Sequence, residues 1–164
     1  KYSFLKNRIG GDIIFIPEES VALEGNSGPY LQYAHARARS ILAKSSSSVI
    51  LSEVEESSDT QEDLSTSPLH SGSAQDDKLQ PEERLLVRKL TEYPEVVARA
   101  TTELMPHHVC TYLYELAQEF NRFYENNRVI GDDRQQLRLG LVESYADTLK
   151  EGLALLGIHA PERM

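Results

Sequence analysis

The sequence predicts an all-α protein built as an antiparallel helical bundle. Two long stretches carry apolar residues at helical spacing: Val109, Leu113, Leu116, Phe120 and Phe123, and then Leu137, Leu141, Tyr145, Leu149, Leu153 and Leu156. Prolines stand where helices would open and glycines where they would turn or close. No convincing run of alternating apolar and polar residues competes with this pattern, and no internal repeat of fixed period is present.

The opening segment, KYSFLKNRIGGDIIFIPEES, reads as the end of a helix, a turn at Gly10 and Gly11, and a short extended piece, Ile13 to Ile16, closed by Pro17. Alone it buries little, so it is expected to pack against something upstream. Gly25, Asn26, Ser27 and Gly28 form a loop, and Pro29 suits a first helical turn because its missing N–H would be unpaired there anyway. The helix that follows is expected to run to about Lys44, with Leu31, Ala34, Ala38 and Ile41 as its apolar stripe.

From Ser45 to Gln80 the composition changes to eleven serines and eight acids against one base. Such a segment cannot offset its ordering entropy by burial, so residues 45–80 are expected to be a flexible, disordered acidic Ser-rich insertion, with room for a brief helical turn around Val49 to Glu56. Pro81 then opens PEERLLVRKLTE, whose acids precede its bases as the helix dipole favours. YPEVVARATTEL follows with Pro94 in its first turn, and Pro106 introduces the clearest helix, HHVCTYLYELAQEFNRFYENN. After a turn at Gly131, Asp132 or Asp133 is placed to cap the last helix, and Gly157 offers a left-handed position at its end.

The formal charge of −9 seems unsuited to a nucleic-acid partner, but most of it resides in the 45–80 segment and the remainder is nearly neutral. Cys110 is the single cysteine, which rules out an intrachain disulfide and a cysteine-based zinc cluster. There is no signal-peptide pattern and no apolar run near the ~20 residues that a bilayer span needs. These features lead to the expectation of a soluble, cytoplasmic, monomeric chain that begins partway through a longer protein.

Catalytic chemistry is hard to assemble from these residues. GNSGPY has two glycines, but Pro29 removes a backbone donor and no lysine follows, so a phosphate cradle is not expected. His107 and His108 are adjacent and diverge by about 100° on a helix, without the spacing of a metal site. Cys110 reads as a buried thiol, and nothing in the sequence places His35 beside it as a base. The expectation is therefore no catalytic residues, no metal and no bound cofactor in this segment.

Tyr33 and Arg37 are four residues apart on one helix face, where a ring and a guanidinium can stack bases and pair with phosphates. The plainer alternative is a tyrosine packed on the bundle with the arginine stem lying over it. Tyr124 and Arg128 repeat the i, i+4 arrangement at the end of the long helix.

Four motifs in order carry a family resemblance. GNSGPYLQYAHARARSIL, Gly25 to Leu42, resembles the arginyl-tRNA synthetase signature GNTGPYxQYAHxRxxSI, and YPEVVARA, Tyr93 to Ala100, resembles the helix after that domain's variable loop. PHHVCTYLYELAQEFNRFYE, Pro106 to Glu125, is similar to PHxxxxYLxxLAxxFxxFY, and LALLGIHAPERM, Leu153 to Met164, is similar to the LxLLGIxxxERM terminus. The resemblance implies a class I synthetase anticodon-binding domain of the DALR type at residues 25–164. Residues 1–24 would then be the tail of the catalytic domain and a connector.

The resemblance further implies arginine tRNA as the partner, an upstream catalytic domain in the same chain, and ATP with Mg²⁺ as requirements of the parent ligase. The HIGH-type and KMSKS-type signatures do not occur here, so the segment itself should be inactive. By motif, Tyr33, Arg37, Tyr124, Arg128 and Met164 fall on positions implied to hold the anticodon loop, although some members place an aromatic at Arg128. Ser27 replaces the commoner Thr, and Pro17-Glu18 stands where many members have an aromatic and an acid. The competing reading is a non-catalytic helical interaction module whose acidic segment recruits a protein partner.

Overall fold

A computed structural model describes residues 1–54 and 79–164, with only the backbone described for 46–54. The described regular structure is entirely helical: α1 (Tyr2–Leu5), α2 (Pro17–Val21), α3 (Gly28–Val54), α4 (Pro81–Thr91), α5 (Tyr93–Glu103), α6 (His107–Asn126) and α7 (Gln135–Leu155).

Helices α3, α6 and α7 surround the core. Leu113 of α6 meets Gly152 of α7, while Phe120 stacks on Tyr145 with centroids 3.8 Å apart, so these two helices run antiparallel. Helix α3 also runs antiparallel to α7. Its Gln32 reaches His159 beyond the end of α7, whereas Leu42 and Ala43 share a cleft with Gln136 and Leu139 near the start. Helices α4 and α5 pack on α6, and α4 also touches α7.

The apolar stripes behave as their spacing predicts on α3 and α6. Leu31, Ala34, Ala38 and Ile41 are buried, as are Val109, Leu113, Leu116, Phe120 and Phe123. Each fully buried large side chain contributes about 1.5–3 kcal/mol relative to exposure. On α7 the expected stripe holds from Tyr145 through Leu149 to Leu153, with Leu156 buried just beyond the helix, but its first turns are rotated. Arg138 and Val142 point inward there, and Leu137 is exposed. The reason is ionic: Arg138 turns in to reach buried Glu83 at 2.9 Å and Asp132 at 3.2 Å.

Four boundaries differ from expectation. Helix α3 does not end at Lys44 but continues to Val54, over positions 45–54 and so over most of the stretch where a brief helical turn was expected. No Gly or Pro interrupts 45–54, and extending an existing helix avoids the cost of nucleation. The remainder of the insertion, 55–78, lies outside the described residues. Pro17 opens α2 instead of closing a strand, with Glu18 and Glu19 in the first turn where the dipole favours them. Neither aspartate caps α7 by its side chain: Asp132 instead accepts the Arg134 amide at 2.9 Å within the turn.

The fourth difference concerns Arg128. Helix α6 stops at Asn126, and Asn127 is extended, so Arg128 is not on the helix that carries Tyr124. At the other end of α7, Gly157 takes the expected left-handed conformation, φ +66°. Its amide bonds to Ala154 and the Ile158 amide to Leu153, closing a Schellman motif.

Candidate nucleic-acid interface

The loop ahead of α3 is set by three local devices. Gly25 turns with φ +70°, a conformation that side chains disfavour. The Ser27 hydroxyl accepts the Tyr30 amide at 3.1 Å, the bond expected of an N-cap residue, and donates to the Ala22 carbonyl. Gly28 lets the chain pass Tyr2, whose Cβ would lie 3.1 Å from any added methyl. Tyr2 is itself buried and donates its hydroxyl to Asn26 at 2.5 Å, and Lys6 donates to the Asn26 carbonyl. The glycines are thus turn and packing devices.

With its start pinned, α3 presents Tyr33 outward, 45% exposed. Arg37 is partly buried one turn later, its guanidinium 4.7 Å from the centroid of the Tyr124 ring on α6. Tyr124 in turn lies over Phe120 at 6.3 Å with nearly parallel planes. The ring at Tyr124, therefore, is the partner that orients the arginine.

Arg128 is exposed and folds back on its own turn, donating from Nε to the Ile130 carbonyl at 2.9 Å. It nonetheless lines one cleft of about 270 Å³ with Tyr124, Ile41 and Asn127. The backbone carbonyl of Arg128 is held by Arg138 at 2.8 Å, so the buried ionic cluster also fixes this turn. Tyr33, Arg37 and Tyr124 belong to the α3 and α6 side of the bundle, with Arg128 at its margin.

Met164 is 68% exposed at the end of a tail that is laid along α3. Gln32 donates to the His159 carbonyl at 2.6 Å, and His35 Nδ1 to the Pro161 carbonyl at 2.8 Å. Glu162 pairs with Arg39 of α3 at 2.6 Å and with Lys150 of α7 at 3.2 Å.

Sequence reading passed over a second polar and aromatic group on the same side. Tyr30 meets Tyr114 edge-on at 5.8 Å, and Asn121 donates to the Tyr30 hydroxyl at 2.9 Å. Burial and the neighbouring Tyr114 raise the Tyr30 hydroxyl pKa, so it stays protonated. The signal was available: Tyr30 stands three and seven residues before Tyr33 and Arg37, and Asn121 three before Tyr124.

The other chemical candidates resolve plainly. Burial pushes the Cys110 thiol up to about 12, so it is not a ready nucleophile at neutral pH. His35 is fully buried against the tail. His107 and His108 lie with ring centroids 4.2 Å apart, and His108 is engaged by Glu103 at 2.6 Å, which also holds Arg99. Among the described residues no helix is long and apolar enough to cross a membrane.

Comparison with known proteins follows the same lines. The chain is similar to the arginine–tRNA ligase of Cutibacterium acnes, with 40% identity over all of this chain and 28% of that protein. It is 35% identical to the arginine–tRNA ligase of Flavobacterium psychrophilum, again over the full chain and 24% of the relative. The solved Thermus thermophilus arginyl-tRNA synthetase superposes with a TM-score of 0.73 at 35% identity, covering 99% of this chain and 25% of that one. The chain spans about a quarter of the length of these relatives. Residues 31–164 match the DALR anticodon binding domain, which covers the bundle and the tail, and the chain belongs to that family.

Proposed function

We propose that this chain is the tRNA-recognition part of an arginine–tRNA ligase, holding the anticodon loop of arginine tRNAs with Tyr33, Arg37, Tyr124, Arg128 and Met164. The observation that carries the reading is the Arg37 guanidinium over the Tyr124 ring, beside exposed Tyr33, on a bundle of the DALR family. An unstacked base can continue a stack begun by tyrosine and arginine, while the guanidinium edge is free to meet a phosphate. Family membership favours this reading over a module that recruits a protein partner.

Aminoacylation would belong to the whole ligase, with ATP and Mg²⁺ bound by an upstream catalytic domain in a cytoplasmic, monomeric enzyme. Residues 1–24 would be the tail of that domain and a connector: Ile13, Ile14, Phe15 and Ile16 are all exposed, with Phe15 stacked on Phe4, and this apolar strip suits the surface of that domain. Fluorescence anisotropy with an arginine tRNA tests the reading on the full chain. Tyr33→Ala and Arg37→Ala should each weaken binding, with a shallow salt slope because few bases meet phosphates. Binding unchanged in both variants would remove these residues from the interface.

A further inference from the structure

The stretch between α6 and α7 has no helical ladder to set its shape. Asn127 is extended and Gly131 turns with φ +77°, so the polar backbone groups of this stretch need partners outside a helix. The first turns of α7 supply two of them. Arg138 donates from Nη1 to the Arg128 carbonyl at 2.8 Å, and the Gln135 side chain accepts the Gly131 amide at 2.6 Å. The same Arg138 Nη1 lies 3.2 Å from Asp132 and so holds the turn at its other end.

Arg138 is itself 3% exposed, with Nε on Glu83 Oε1 at 2.9 Å. Glu83 belongs to the first turn of α4, where it also accepts the Gln80 amide and the Arg134 guanidinium. A guanidinium gripped along one edge by a buried carboxylate presents its other edge in a fixed direction. That edge meets the Arg128 carbonyl. Arg128 and Ile130 in turn line the cleft of about 270 Å³ whose other sides include Tyr124 of α6 and Ile41 of α3. The Arg128 guanidinium lies on Gly131, with Nη2 3.1 Å from where a Cβ would stand, so it moves with the turn.

We propose that Arg138, aimed by Glu83, is a positioning residue for tRNA binding: by holding the Arg128 carbonyl it sets the non-helical wall of the cleft against Tyr124 and Ile41. Tyr33 and Arg37 lie within regular α3 and need no such tie. Loss of Arg138 should therefore be felt through Arg128 and not through Tyr33. The inference rests on the tRNA-binding reading of Tyr124 and Arg128, but its first test does not use RNA.

In the full chain, the NMR correlation that links the Val129 amide to the Arg128 carbonyl reads the bond directly. Arg138→Lys keeps a cation opposite Glu83 but has no second edge to offer. It should move the Arg128 carbonyl ¹³C signal upfield and speed hydrogen exchange at the Gly131 amide. Glu83→Asp keeps the buried charges balanced and shortens the carboxylate by one methylene, so it should give a smaller shift in the same direction. An Arg128 carbonyl signal unmoved in both variants would overturn the proposal.

Anisotropy with an arginine tRNA then separates positioning from general loosening of the bundle. Arg138→Lys should weaken binding about three- to tenfold, within the coupling range of side chains that share one hydrogen-bond network. Combined with Arg128→Ala its effect should be less than additive, and combined with Tyr33→Ala it should be additive. Additivity with Arg128→Ala, equal coupling to both, or full affinity in Arg138→Lys while Arg128→Ala is weakened would sink the positioning role and leave the tRNA face intact. Full affinity in Tyr33→Ala, Arg37→Ala and Arg128→Ala alike would instead overturn the tRNA-binding reading.

Discussion

Arg37 Cζ on α3 lies 4.7 Å from the ring centroid of Tyr124 on α6, so two residues 87 positions apart form one cation–π pair. Such a pair contributes about 0.5–1 kcal/mol where it is partly exposed. In a double-mutant cycle on tRNA affinity, Arg37→Ala and Tyr124→Ala should be less than additive by about that amount. Additivity within a few tenths of a kcal/mol would show that the two act independently.

Glu83 is fully buried between Arg134 at 2.7 Å and Arg138 at 2.9 Å, and tied to the Gln80 amide at 2.9 Å. Burial alone would raise its pKa, but the two guanidiniums and the amide prevail and hold it below the usual carboxylate range. Its contribution is therefore present above the unfolded-state pKa and lost as pH falls through the folded value. Glu83→Gln should cost about 3–5 kcal/mol at pH 7, because buried Arg138 loses its buried anion and keeps only the half-buried Asp132. Urea denaturation should show the gap between wild type and variant narrowing in acid.

Two helical glycines should respond oppositely to alanine. A Cβ on Gly152 would come within 2.5 Å of Leu113 Cδ2 in the core, whereas one on Gly140 meets nothing within 4 Å. Gly152→Ala should destabilise by about 1–3 kcal/mol through overpacking. Gly140→Ala, at an exposed position of α7, should stabilise by roughly 0.5–1 kcal/mol. Thermal melts of the two variants decide both.

Leu104 ends α5 in the left-handed region, φ +54°, with its side chain 78% exposed. Little packing is lost if it is removed, and glycine occupies this conformation without strain. Leu104→Gly should raise stability by about 1 kcal/mol. A lower melting temperature would mean that contacts of the leucine within the chain outweigh the strain of its backbone.

His35 is buried with Nδ1–H on the Pro161 carbonyl and, among the described residues, no partner for Nε2. Burial holds its pKa below 6.5, so the neutral ring is the folded form. Below pH 6.5 the unfolded chain takes up a proton that the folded chain refuses, so stability is full above that pH and declines as pH falls toward the folded pKa. His107 is lowered by burial too and adds to the same trend. His35→Asn should flatten part of the decline in melts between pH 8 and 5.

The helices at α3, α6 and α7 were legible because each buries one stripe, and a stripe recurs with the helical period whatever it packs against. The helical end of the insertion at 45–54 was not. Composition left room there only for a brief helical turn around Val49 to Glu56, whereas α3 carries on from upstream to Val54, since extending a formed helix avoids nucleation. The rotated start of α7 was hidden for a related reason: the anion that draws Arg138 inward, Glu83, is 55 positions earlier.

By itself, then, the sequence determined the helical class, the core faces, the capping glycines and the DALR family motifs, since all of these are encoded in residues close together along the chain. Which side chains meet was decided only by tertiary structure. Arg37 finds Tyr124 rather than Tyr33, Tyr30 finds Asn121, and Glu162 joins α3 to α7. The reason is geometric: a helix fixes the direction of its own side chains, but their partners come from helices whose spacing and rotation depend on how the whole core packs.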